Sequence, residues 1–179
     1  VKDVIDFLET KYNTSQLFLM GHSRGGSTML IKSFEDERVK GTITLGSVIT
    51  IKDKYADNNW EEWKKEGVKY IYNGRTLQNM PLYKILAEDI FENENRFDIL
   101  NLAPNIKKPT LLIHGTNDQV ISLEESFLLK NINPNIEHFI IENANHTFGG
   151  KHPFYEKTLP IDLNKAVEKS IEFIKNNVI

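Results

Sequence analysis

The stretch LFLMGHSRGGSTML sets Ser23 at the tip of a turn, with Gly21 and Gly25 two positions to either side. An apolar run, Leu17 to Met20, leads into the turn, and Met29, Leu30 and Ile31 follow it. A strand, a sharp turn and a helix together expose a serine hydroxyl. The turn leaves no room for side chains at its flanks and holds the serine in a strained backbone conformation. The helix behind it points the positive end of its dipole at the hydroxyl, and the backbone N–H of Arg24 becomes one donor to an oxyanion formed there. G-x-S-x-G arises by chance in roughly a few per cent of chains this long. The flanking strand and helix make the signal stronger than the pattern alone. The plainer alternative is a tight glycine turn with an incidental serine.

A serine hydroxyl is a poor nucleophile until a base takes its proton, and the base needs an acid to orient it. In strand–helix alternation of this kind the chain order is nucleophile, acid, histidine. LLIHGTNDQVI places Asp118 after one strand, and IIENANHTFGG places His146 after the next. Both fall at carboxyl ends of strands, the rim that carries Ser23. Ser23, Asp118 and His146 are therefore the candidate catalytic set. Of the other histidines, His22 adjoins the serine, but its side chain is expected to diverge and serve packing. His114 ends a strand and is expected to fix the turn that follows. His138 lies inside a strand, and His152 lies beyond Gly149 and Gly150. The rival acids are Asp98, where helix capping is the ordinary role, Glu142 at a strand end, and Asp53 after the second strand.

These groups need a frame to hold them. DVIDFLETKY puts Val4, Ile5 and Leu8 on one helical face, and 13–16 is a polar connector. Leu17 to Met20 suits a strand buried on both faces, and the helix after the turn runs to about Phe34. VKGTITLGSVIT reads as a second strand. From about Ile51 to Ala103 the pattern changes to a helical insertion. Trp60 and Trp63 sit there in a charged helix, and MPLYKILAEDIF gives Leu82, Ile85, Leu86 and Ile90 at helical spacing with Pro81 in the first turn. Alternation resumes with the strand TLLIHG, the helix SLEESFLLKNI with Ser122 and Glu125 spaced as a capping box, and the strand IEHFII. A loop over 143–160 leads to a closing helix with Val167, Ile171, Ile174 and Val178 on one face. The pattern predicts an α/β fold of three layers, α/β/α, on a mostly parallel sheet.

The bulk composition is consistent with this. The 179 residues suit one domain, with 40% hydrophobic and 26% charged residues. A net charge of −3 argues against a nucleic-acid partner, because a phosphate-binding surface needs a basic excess. No apolar run approaches the length of a membrane span. The absence of cysteine excludes disulfides, thiol nucleophiles and thiolate metal sites.

GHSRGG, HGTND and NANHTF, in this order, resemble the nucleophile elbow, acid loop and histidine loop of the α/β-hydrolases. The resemblance spans the chain, which looks like the carboxyl-terminal two-thirds of that fold: a single, partial domain over 1–179 with a cap insertion at about 51–103. GHSRGG, HGTNDQVISLEES and the modest cap are similar to small esterases of the dienelactone-hydrolase-like, cinnamoyl-esterase-like and acyl-peptidase-like groups. The resemblance implies a serine hydrolase acting on a small-molecule ester, with no metal and no organic cofactor. Thioester and peptide hydrolysis, or a non-catalytic binding module on the same fold, stay open as alternatives. It also implies further strands before Leu17, one of whose loops supplies the second oxyanion donor. On that reading Leu17 to Met20 forms an open apolar edge in the chain as given. Trp60, Trp63, Tyr70, Tyr72 and Tyr83 could line an acyl pocket, but for most of them the plainer expectation is the cap's own small core.

Overall fold

Four short strands rich in Leu, Ile and Thr pair side by side in the computed structural model, which describes residues 1–14, 16–55, 60–74 and 76–178. Position 15 of the expected connector and positions 56–59 and 75 of the expected insertion lie outside them. Along the chain come α1 (Lys2–Tyr12), β1 (Leu17–His22), α2 (Arg24–Glu35) and β2 (Val39–Leu45). The insertion holds α3 (Ile51–Tyr55), α4 (Trp60–Glu66), β3 (Val68–Asn73), β4 (Gln78–Tyr83), α5 (Ile85–Glu92), α6 (Glu94–Phe97) and α7 (Ile99–Leu102). Then follow β5 (Thr110–Gly115), α8 (Leu123–Ile132), β6 (Glu137–Ile141) and α9 (Ile161–Asn177). The main sheet has the order β1-β2-β5-β6, and every neighbour pair in it is parallel. Parallel neighbours need long crossovers, and the helices supply them.

Strand register decides where the chemistry can lie. His22 pairs with Leu45, Leu45 with Ile113, and Gly115 with Ile141. β1 and β2 therefore end level, β5 and β6 run two residues further, and the loops starting at Ser23, Gly46, Thr116 and Glu142 emerge on one rim. Alternation along β5 divides the core. Leu111 and Ile113 pack with Ile43, Leu45, Phe148, Ala166 and Phe173 on the α9 side. Leu112 packs with Leu30, Ile31, Ile99 and Leu129 on the opposite side. β2 and β5 are buried nearly throughout, whereas β1 is half-buried and Met20 is 47% exposed. β1 is one of the two edge strands of this sheet, with β6 the other.

Several expectations are corrected. Pro81 and Leu82 lie in β4, which pairs antiparallel with β3, and the helix starts only at Ile85. The insertion is thus a hairpin among helices. Aromatic and branched residues in VKYIYN favour a strand, and Pro81 is tolerated because both strands of a two-stranded sheet are edges. In α1 only Ile5 of the predicted face is buried, and Val4 is 60% exposed. In α9 the buried stripe is Ala166, Ser170 and Phe173, while Ile171 and Val178 face solvent. Small residues let the helix approach the sheet, and the Ser170 hydroxyl is satisfied by donating to Ala166 O at 2.7 Å. The capping box is half formed: Ser122 accepts from the Glu124 N–H, but the Glu125 carboxylate reaches away to Ile49 and Thr50.

Candidate active site

Ser23 follows β1 directly and caps α2 with φ 55° and ψ −129°. For a non-glycine residue this is a strained conformation, costing on the order of 1–3 kcal/mol. Its N–H donates to Leu45 O at 2.8 Å, and its carbonyl accepts from the Gly26 N–H at 3.0 Å. A Cβ at Gly21 would overlap the Gly25 carbonyl, and one at Gly26 would overlap the Ser47 hydroxyl. A Cβ at Gly25 would meet nothing within 4 Å. The close approaches therefore demand glycine at 21 and 26, not at 25 as the sequence pattern suggested. The Arg24 N–H is the first of α2, at the positive end of the helix dipole.

The acid and the histidine meet. His146 Nδ1–H donates to Asp118 Oδ2 at 2.8 Å, with the two side chains 11% and 1% exposed. Bonding through Nδ1 leaves Nε2 as the lone-pair nitrogen of a neutral ring. Asp118 Oδ1 accepts from the Val120 and Ile121 N–H groups, both at 2.9 Å. Burial pushes the Asp118 carboxyl up, but the Ile121 N–H, His146 and the Val120 N–H outweigh it and hold the group below the ordinary aspartate value. Among the described residues, no hydrogen bond joins Ser23 Oγ to His146. Catalytic hydrogen bonds are commonly long without substrate and tighten in the complex.

Three neighbours were not read from the sequence as parts of the site. The His22 ring packs against His146 with centroids 4.6 Å apart, and its Nε2–H donates to His146 O at 2.7 Å. His22 therefore has the packing role expected of it, and its packing partner is the histidine loop. Gly46 has φ +50°, and a Cβ there would lie 2.9 Å from Asp118 Oδ2 and 3.3 Å from His146 Nδ1. The only hint in the sequence was a glycine directly after a strand, in TITLGS. The third is Glu125, whose partners lie far away along the chain.

The remaining candidates take other roles. His114 is buried, donates from Nε2 to Ile121 O at 3.1 Å, and lies 3.4 Å from Asp118 Oδ2, which fixes the acid loop. His138 bonds Ser126 at 3.0 Å, and burial lowers its pKa. Asp98 accepts from the Asn101 N–H as a helix cap. His152, Glu142 and Asp53 are exposed. Trp63 is buried against Trp60, which packs on Phe91; these are core residues of the insertion. Tyr70, Tyr72 and Tyr83 are all more than 60% exposed.

A cleft of about 640 Å³ runs from Arg24 along α2, past Thr28 and Ile31, to Phe97 beneath α5 and α6. A shallower depression of about 330 Å³ adjoins His146, with Asn117, Gln119 and Thr147 in its wall. Among the described residues, no group of His, Asp and Glu side chains could hold a metal ion, and no helix is long and apolar enough to cross a membrane.

Comparison with known proteins gives the family and the fold. A search of curated proteins found no match. The esterase domain of a Rhodothermus marinus protein superposes with a TM-score of 0.58 at 18% identity, over 83% of this chain and 60% of that one. Est1E from Butyrivibrio proteoclasticus gives 0.70 at 16% identity, over 96% and 67%. The monoacylglycerol lipase of Paleococcus ferrophilus gives 0.67 at 17% identity, over 97% and 73%. The chain thus spans 60% of the length of the Rhodothermus esterase domain, and the same share of a Pyrococcus furiosus esterase. At these identities the likeness establishes the α/β-hydrolase fold. The model of the prolyl oligopeptidase family matches residues 2–158, from the first helix through the histidine loop. The chain belongs to the prolyl oligopeptidase family, within the α/β-hydrolases.

Proposed function

We propose that the protein is a serine hydrolase that cleaves carboxylic esters, with Ser23 as nucleophile, His146 as base and Asp118 as the acid that orients it. The observation that carries this is the 2.8 Å Asp118–His146 hydrogen bond on the rim that also carries the strained Ser23. Asp118 holds the proton on Nδ1, so Nε2 is the nitrogen able to accept one. Ser23 Oγ attacks the ester carbonyl carbon while its proton passes to His146 Nε2. The tetrahedral oxyanion is met by the Arg24 N–H at the positive end of α2; a second donor in this fold comes from a loop after an earlier strand. Each such donor contributes about 3–4 kcal/mol to the transition state. The intermediate collapses by breaking the C–O bond, and the alkoxide takes the proton back from His146. Water, deprotonated by the same nitrogen, then releases the acid and frees Ser23. Residues 1–179 belong to one domain, as a part of it, with the insertion at about 51–103 as its cap.

The family match favours a second reading, hydrolysis of an acyl-peptide bond by the same steps. Matched ester, thioester and anilide substrates with one acyl group separate the two. The first reading expects kcat/KM highest for the ester and lost in Ser23→Ala. Anilide turnover equal to that of the ester supports the second.

A further inference from the structure

Between β2 and α3 the chain crosses the interior without regular structure. Residues 46–49 are buried and residue 50 half-buried. Buried backbone groups need partners, and here side chains from two other elements provide three of them. The Gly46 N–H donates to Ile113 O at 2.9 Å. Val48 O accepts from the hydroxyl of Ser27, in the first turn of α2 behind Ser23. Glu125, in the first turn of α8 behind the acid loop, takes two backbone groups and one hydroxyl. Its Oε2 accepts from the Ile49 N–H at 2.7 Å and the Thr50 N–H at 2.8 Å, and its Oε1 accepts from the Thr50 hydroxyl at 2.6 Å. Bonds to a carboxylate are shorter and about twice as strong as neutral ones. The segment is thus fastened to the helix behind the nucleophile and to the helix behind the acid. At one end Gly46 lies under the Asp118–His146 bond, and at the other the insertion begins.

We propose that Glu125 is a positioning residue: by clamping Ile49 and Thr50 it fixes the junction that seats Asp118 and His146 against Ser23. The inference rests on the function proposed above. An acid in the first turn of a helix also gains from the helix dipole, and that ordinary role makes opposite demands. The dipole needs the charge and not the reach, whereas the clamp needs the reach. Glu125→Asp keeps the charge on a shorter arm, and Glu125→Gln keeps the reach without the charge.

The test measures kcat and KM on a short aryl ester, amide hydrogen exchange at Ile49 and Thr50, and the downfield proton resonance of the His146–Asp118 bond. In Glu125→Asp and Glu125→Ala, kcat is expected to fall roughly ten- to hundredfold with KM nearly constant, the scale of a misplaced catalytic group. Exchange at both amides speeds up and the resonance moves or broadens. Glu125→Gln retains most of the activity. Wild-type behaviour of Glu125→Asp together with a loss in Glu125→Gln assigns the dipole role and overturns the proposal. If Glu125→Ala fails to fold, Thr50→Val removes one bond of the clamp; a smaller fall in kcat is expected, and an unchanged kcat overturns the proposal. A wild-type protein that turns over no ester removes the proposed function. The exchange and resonance measurements then decide on Glu125 by themselves, and values unchanged from wild type overturn it.

Discussion

Gly46→Ala tests the site through a residue that carries no chemistry. At φ +50° an L-residue costs roughly 1–2 kcal/mol. Replacing glycine returns about 0.4–1 kcal/mol by restricting the unfolded chain. The net backbone penalty is about 1 kcal/mol, which leaves the protein folded. The contact matters more. The new Cβ stands 2.9 Å from Asp118 Oδ2, and ordinary contact begins at 3.4 Å, so the carboxylate must retreat by about 0.5 Å. It has little freedom to do so. Oδ1 is held by two N–H groups, and His114 Nε2 stands 3.4 Å from Oδ2. The 2.8 Å bond to His146 is the one that yields. A misplacement of about 1 Å costs about a hundredfold, so half of that predicts about a tenfold fall in kcat with KM little changed. Steady-state ester hydrolysis, with circular dichroism to establish folding, measures it. Gly25→Ala is the control, because its Cβ meets nothing within 4 Å. A folded Gly46→Ala with wild-type kcat, or a Gly25→Ala that loses as much, refutes the reasoning.

Thr42 Oγ1 is buried with no hydrogen-bond partner among the described residues, so Thr42→Val is expected to leave the melting temperature unchanged or raise it; a clear fall contradicts this. The Asp36 carboxyl is held well below its ordinary 3.8, chiefly by the hydrogen bond from Arg38. A depressed carboxyl contributes stability that is present above its unfolded value and lost as the pH falls below it. Arg38→Met should therefore lower stability at neutral pH and lower it less near pH 2, as denaturant titrations at the two pH values will show. His22→Phe keeps a ring beside His146 but loses the N–H to its carbonyl. It is expected to lower kcat several-fold without moving KM; an unchanged kcat removes His22 from the positioning of that loop.

What could be read from the sequence was local. Ser23, Asp118 and His146 each sit in a strand-to-loop transition marked by an apolar run, and the parallel sheet then brings the three loops to one rim by register alone. Ser122 and Glu125 carried a local signal that misled. The spacing suits a capping box, but the carboxylate goes to Ile49 and Thr50, which no pattern within α8 could reveal. Gly25 and Gly26 look alike in the sequence, and only the packing of α2 against Ser47 separates them. The hairpin of the insertion was hidden because Pro81 and Leu82 also suit the start of the helix that follows. In α9 the apolar residues Ile171 and Val178 outweighed Ala166 and Ser170 in a hydrophobicity pattern, yet the small residues are the ones that let the helix close on the sheet.

Labelling the protein with an alkyl fluorophosphonate and mapping the adduct by peptide mass spectrometry tests the assigned nucleophile most directly. The expected result is a single adduct on Ser23, with nearby Ser27 and Ser47 unmodified, and with labelling abolished in Ser23→Ala and strongly slowed in His146→Ala. An adduct on any other residue, or one that persists in Ser23→Ala, contradicts it.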